Sequence, residues 1–271
     1  MKIGLFGSCQ LRLSSAFFLN EDINNIYNFK ILFSLAFFEY DPNYVGYQGV
    51  ILDYSIFDEL DCLIIEINNL QTQASSTKII EYCLNKNIKI VKTFLIKFPI
   101  YPINWSGYSE YKKDYLNWNG LDSINYKERF KSCIISLRKS NAESDLDTKI
   151  TDFIEDNFNK QLLFTHSLHP TNILLYELWR GIFSNLSINI DNYNYQFKRE
   201  LILCWYNPFT TKMIKDLDIK FSTIVNDKFY IDRYNKHKSF VDWCVSLSLD
   251  IDWIDNSLYI DFERAHGNGT K

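Results

Sequence analysis

The residues with the most chemical content in this chain are Gly7-Ser8-Cys9-Gln10. They follow the apolar run Ile3 to Phe6 and precede an amphipathic segment, Leu11 to Leu19. Strand, tight turn and helix in that order lift one side chain to the carboxyl edge of a sheet, with a helix amino terminus behind it. The N–H groups and the helix dipole there favour negative charge, so a cysteine in the first turn is pushed toward thiolate. Cys9 is therefore the candidate nucleophile, set against the plainer reading of a buried cysteine on a turn.

A second constellation is Phe164-Thr165-His166-Ser167-Leu168-His169-Pro170-Thr171-Asn172, which holds two of the four histidines. It stands just before an amphipathic stretch. Proline is favoured at the first helical position, so Pro170 predicts a helix start with His169 as its cap. A helix amino terminus disfavours imidazolium, which would keep His169 neutral and able to accept a proton near neutral pH. The alternative is a histidine that only caps. His166 and His169 straddle the predicted helix start and share no face, so they do not make a metal pair.

Positioning these groups requires a sheet. Ile3 to Phe6, Phe29 to Phe33, Cys62 to Ile67 and Ile88 to Phe94 are short apolar runs bounded by polar or turn residues, the pattern of buried parallel strands. Between the last two lies Thr72 to Asn85, with Ile79, Ile80, Cys83 and Leu84 at helical spacing. A βαβ alternation predicts an α/β fold with a parallel sheet. The loop Phe98-Pro99-Ile100-Tyr101-Pro102-Ile103-Asn104-Trp105 leaves the fourth strand, and its two prolines forbid helix and central strand alike. Loops at that edge commonly line binding sites. Beyond it the chain reads as helix-rich: Ile124 to Leu137, Leu146 to Phe158 and Thr171 to Phe183 are helical in pattern. Leu201 to Tyr206 and Phe221 to Val225 read as late strands, Phe240 to Leu247 as a helix and Ala265 to Lys271 as a loose tail. With no linker or repeat, residues 1–271 read as one domain: a motif-bearing core, 1–184, and an extension, 185–271, packed on it.

A net charge of −4 gives no basic footprint, which argues against nucleic acid as a partner. The 18 tyrosines and 21 phenylalanines against 9 glycines and 5 prolines describe an ordered globular chain. Six scattered cysteines without a CxxC pair exclude a zinc ribbon or thioredoxin motif and suggest thiols in a reducing cytoplasm. No apolar run reaches the ~18 residues of a membrane span. The apolar stretch before Cys9 is too short for a lipoprotein signal. No GxGxxG or GKS/T nucleotide cradle is present.

The opening strand with Gly-Ser-Cys-Gln, the strand Asp61-Cys62-Leu63-Ile64-Ile65-Glu66, the Phe98-Pro99-Ile100-Tyr101-Pro102 loop and His169-Pro170-Thr171-Asn172 before Leu174-Leu175-Tyr176-Glu177-Leu178 resemble the WcbI-like family of capsular polysaccharide biosynthesis enzymes. Members are regarded as acetyltransferases that bind coenzyme A, and the matched blocks run from residue 3 to about residue 184. The same blocks look like a distant version of the SGNH hydrolase pattern. That likeness implies an SGNH-like parallel sheet flanked by helices, with Cys9 on the nucleophile, His169 on the base, His166 on the orienting aspartate and Asn68 near the oxyanion-hole asparagine. Ser8 stands where the family more usually has Asn. His166 in place of aspartate offers no fixed negative charge, so another group or a backbone carbonyl must orient the base.

What the resemblance implies is a coenzyme A-dependent O-acetyltransferase in the bacterial cytoplasm, peripheral to the inner membrane. It would act on a sugar hydroxyl in capsule or O-antigen biosynthesis, in loose association with the polysaccharide-assembly machinery. Either Cys9 takes the acetyl group and His169 then deprotonates the acceptor, or His169 activates the acceptor directly while Ser8, Gln10 and Asn68 shape the site and hold the oxyanion. Arg12, Lys92, Lys97 or Arg180 would meet the carrier's phosphates, Tyr101, Trp105 or Tyr108 its adenine, and Asn172 the cofactor end of the site. Two rival readings use the same residues. In one, water replaces the sugar, giving an esterase or deacetylase; in the other, the aromatic loop makes a non-catalytic glycan- or protein-binding module.

Overall fold

The computed structural model describes residues 1–18, 26–41, 49–102, 119–146, 150–190 and 207–246. The chain forms two compact units, residues 1–98 with 131–206 and residues 99–130 with 207–271. The division passes through the proline-rich loop.

The first unit is built on four parallel strands, β1 (Lys2–Gly7), β2 (Lys30–Ala36), β3 (Cys62–Glu66) and β4 (Lys89–Thr93), in the order β2-β1-β3-β4. Its helices are α1 (Cys9–Phe18), α2 (Ser76–Asn85), α3 (Tyr126–Ala142, which begins in the second unit), α4 (Ile150–Asn157) and α5 (Asn172–Asn185). Before α5 come two short strands, β5 (Phe164–His166) and β6 (His169–Pro170), paired antiparallel. An α/β fold with a parallel sheet flanked by helices is thus what the sequence pattern predicts.

β1 and β3 occupy the middle of the sheet because they are apolar on both faces: every residue of β3 and all of β1 after Lys2 are buried. Alternation then divides the core. Phe6, Leu63 and Ile65 pack with Phe57 and with Ile79 and Cys83 of α2. Leu5, Ile64 and Glu66 point to the opposite face. There α1 leans on β1, and glycine is required at the point of approach: a Cβ on Gly7 would lie 2.8 Å from Leu11 Cδ2 and 3.1 Å from Glu66 Cβ. Trp179 of α5 is fully buried and donates its indole N–H to Ser14 Oγ of α1 at 2.7 Å.

The observed bounds differ from the pattern where side chains bond locally. β2 runs on to Ala36. The helix expected from Thr72 starts at Ser76, because Ser76 and Thr72 instead brace the preceding loop: Ser76 N–H donates to Asn68 Oδ1 and Ala74 N–H to Thr72 Oγ1. The helix expected from Leu146 begins at Ile150.

In the second unit, α6 (Thr211–Asp216) and α7 (Asp227–Ser246) are the described helices, and α7 takes in the start of the expected Phe240 to Leu247 helix. Thr210 caps α6 by accepting from Met213 N–H at 3.0 Å, and it donates to Tyr126 Oη at 3.1 Å. Arg129 pins the proline-rich loop by donating to Pro99 O (2.9 Å) and Pro102 O (3.4 Å). The strand expected at Phe221 to Val225 is reduced to a single bridge between Phe209 and Val225. The expectations for Leu201 to Tyr206 and Ala265 to Lys271 lie outside the described residues. Among the described residues no helix is long and apolar enough to cross a membrane.

Candidate active site

Ser8, between β1 and α1, is the cap of α1. Its carbonyl accepts from Arg12 N–H (3.1 Å) and its hydroxyl from Gln10 N–H (3.2 Å). Cys9 is consequently the first residue of α1, half-buried and in no disulfide, at the end of the helix where the dipole favours an anion.

The next residue joins the two constellations. Gln10 is fully buried. Its Nε2 donates to Ile96 O (2.9 Å) and to Leu168 O (2.7 Å), while its Oε1 accepts from Ile96 N–H (3.0 Å). Leu168 immediately precedes His169, so one amide side chain, borne by the neighbour of Cys9, fastens the cysteine turn to the histidine hairpin. A second tie runs from Phe98 N–H to Ser167 O (2.7 Å), and the Phe98 ring stacks on Phe164 of β5 at 4.8 Å. Lys97, half-buried, lies between the two tied residues.

The structure corrects the reading of His169 as a helix cap. His169 and Pro170 form β6, Thr171 is the cap of α5, and Thr171 N–H donates to Leu163 O at 2.8 Å. Proline fits here because a strand that ends after two residues needs no further donor from it. Neutrality of His169 has a different cause from the one expected: partial burial, not a helix terminus, pushes its imidazole below the ordinary 6.5. His166 is buried opposite it, ring centroids 5.2 Å apart, and its Nδ1 accepts from Leu168 N–H at 3.3 Å. That bond requires an unprotonated Nδ1.

The other expected site residues separate into those that meet at this edge and those that do not. Asn68 braces the loop before α2: its Nδ2 donates to Ala74 O and its Oδ1 accepts from Leu70 N–H and Ser76 N–H. Asn172 is buried as the first residue of α5. Tyr101 is enclosed in the core of the second unit, edge-on to Phe209 at 5.8 Å, which withdraws its ring from a stacking role. Three of the four expected phosphate ligands are bound to carboxylates: Arg12 to Glu39, Lys92 to Asp145 (3.0 Å) and Arg180 to Glu177 (2.8 Å). Trp105 and Tyr108 lie outside the described residues. Among the described residues no group of three or more metal-ligating side chains is gathered.

One residue that the sequence reading left without a role is prominent. Glu66, at the carboxyl end of β3, accepts at Oε2 from Ser8 N–H (3.2 Å) and Ser8 Oγ (2.7 Å). Burial pushes its carboxyl up to about 7, with the two Ser8 bonds opposing. The signal for it was a lone acid ending the apolar run Cys62 to Ile65.

Fold and site together describe an α/β protein with a parallel sheet, in which the turn bearing Cys9 is fastened to the hairpin bearing His169. Among solved structures it is similar to WcbI, a polysaccharide biosynthesis enzyme described in its native form without a disulfide bond between coenzyme A and one of its cysteines. The identity is 14%, the TM-score 0.58, and the likeness covers 98% of this chain and 95% of that one. No family model matches the chain, and no curated protein matches it in sequence.

Proposed function

We propose that this protein is a coenzyme A-dependent O-acetyltransferase that modifies a sugar hydroxyl during surface polysaccharide biosynthesis. The observation that carries the reading is the bond from Gln10 to Leu168, which fastens the residue after Cys9, a thiol at a helix start, to the residue before His169, an imidazole kept neutral by burial. The fold shared with WcbI supports coenzyme A as the carrier.

The donor set fits the acyl end of such a carrier. A thioester exchange needs a soft nucleophile, N–H donors for the tetrahedral oxyanion and a base of near-neutral pKa. Cys9, the first N–H groups of α1 and His169 supply these. Lys97, the cation proposed to meet a phosphate, follows Ile96, which Gln10 grips through both its carbonyl and its N–H.

In the covalent route Cys9 Sγ, as thiolate, attacks the donor carbonyl, and the bond to the carrier's sulfur breaks. A thioester is exchanged for a thioester, so this step is nearly isoenergetic. His169 then takes the proton of the acceptor hydroxyl as its oxygen attacks the Cys9 thioester. The Cys9 thiolate leaves and an oxygen ester forms, which is downhill. In the direct route His169 acts on the hydroxyl without an acetyl-cysteine.

The test is calorimetric titration with coenzyme A and acetyl-coenzyme A, then intact mass after acetyl-coenzyme A alone. A gain of one acetyl group, lost in Cys9→Ser, supports the covalent route. Binding without the gain points to direct transfer. Absence of binding sinks the acetyltransferase and favours an esterase.

A further inference from the structure

Behind the cysteine turn lies a carboxyl that the reaction above does not use. Glu66 is 2% exposed, and the residues around it are arranged to admit it. In the β1–β3 register Phe6 pairs with Ile65, which sets Gly7 beside Glu66. The missing side chain at Gly7 leaves the room that Leu11 and Glu66 fill. On its other side Glu66 pairs in register with Thr93 of β4, a buried residue whose hydroxyl has no hydrogen-bond partner among the described residues. From Glu66 a short chain of bonds leads into the helix: Gln10 N–H donates to Ser8 Oγ, and Ser8 Oγ donates to Glu66 Oε2.

We propose that Glu66 is a positioning residue for Cys9: it anchors the start of α1 through Ser8, and its own charge sets how readily the Cys9 thiol ionises. The anchor follows from the two Ser8 bonds, which fix both the backbone and the side chain of the residue before Cys9. The charge effect follows from competition. A helix start stabilises one nearby anion, and a carboxylate and a thiolate on either side of Ser8 are like charges. With Glu66 neutral, the thiolate forms with no like charge behind Ser8; with Glu66 ionised, it forms against a standing negative charge.

The competition falls in the neutral range because burial raises the carboxyl to about 7. Around Glu66 the chain places Ser8 and Leu11 from the β1–α1 turn and Thr93 from β4, none of them charged, and among the described residues no charged group contributes to its titration. The titratable groups of the site itself are Cys9, His166 and His169.

This role deepens the acetyl-transfer reading by naming what tunes its nucleophile, and it rests on that reading only for its catalytic meaning. Iodoacetamide alkylation tests it without any acyl donor, on the full chain, with Cys9 resolved from the other cysteines by peptide mass spectrometry. The variant is Glu66→Gln, which keeps an oxygen acceptor for both Ser8 donors and removes the charge. At about pH 8 the Cys9 rate in Glu66→Gln is expected to be about threefold that of wild type, corresponding to a thiol of ordinary acidity that ionises roughly one pH unit earlier. The wild-type profile alone gives a second reading: it should be broader than a one-proton curve, because Glu66 ionises as the thiol does. Matching profiles in the two proteins, or a one-proton wild-type curve, would overturn the role of Glu66. Should the rise appear in a protein that binds no coenzyme A, Glu66 keeps its role and the acetyltransferase is what fails.

Discussion

Replacing Gln10 with Glu preserves the shape of the side chain and inverts its chemistry, which makes it the sharpest test of how the site is held together. The native amide gives Nε2 to two carbonyls, Ile96 O and Leu168 O, and takes Ile96 N–H at Oε1. A carboxylate retains only the last of these bonds and turns its negative oxygens on the two carbonyls. Each buried polar group left without a partner costs about 1–3 kcal/mol, so two orphaned carbonyls amount to roughly 3 kcal/mol or more. Against a typical stability of about 5–15 kcal/mol that is a large fraction. Urea denaturation at neutral pH should show the loss. Part of it should return near pH 5, since the protonated acid regains one donor, and stability of this variant should therefore fall as pH rises. Coenzyme A binding should weaken more than stability does, because the hairpin bearing His169 is no longer fastened to the cysteine turn. A Gln10→Glu protein within about 0.5 kcal/mol of wild type at neutral pH would refute the reasoning, since the three bonds would then carry no net energy.

Two further outcomes follow from the titrations. The raised carboxyl of Glu66 stabilises the fold in its neutral form: that contribution, roughly 3 kcal/mol for a shift from 4.5 to about 7, is complete below 4.5 and lost as pH rises through 7. Urea melts at about pH 5 and pH 8 should show the loss in wild type and its absence in Glu66→Gln. For His169 the sign is reversed. Its pKa is lowered by burial, so the stability it contributes is present above 6.5 and declines as pH falls, and the acid limb of any His169-dependent transfer should lie below 6.5. A limb above that value would point to a different base.

The sheet was legible because burial leaves a simple trace: Ile3 to Phe6 and Cys62 to Ile65 are unbroken apolar runs, and such runs have few uses other than a covered parallel strand. The nucleophile turn was legible for the same reason, as a small polar stretch with a cysteine joining such a run to an amphipathic one. His169 was misplaced because proline after a polar residue is the usual mark of a helix start, and the apolar pattern does not distinguish it from a two-residue strand folded back onto Phe164 and His166. Tyr101 was read as a stacking platform from its position in an aromatic loop, yet whether an aromatic ring faces inward depends on partners such as Phe209 that lie far along the chain. Gln10 and Glu66 mark the limit most clearly. The type of each residue was visible, but the work each does is a hydrogen bond to a segment that sequence spacing cannot locate.

The Gln10 clasp also dictates an order of assembly. All four strands of the parallel sheet have been synthesised once Thr93 is made, whereas the carbonyl that closes the clasp belongs to Leu168. Closing so long a loop is entropically costly and slow, and contacts between distant segments form late. A growing chain therefore holds the strands of its described parallel sheet well before the histidine hairpin is fastened to them, and during synthesis the cysteine turn waits without its clasp.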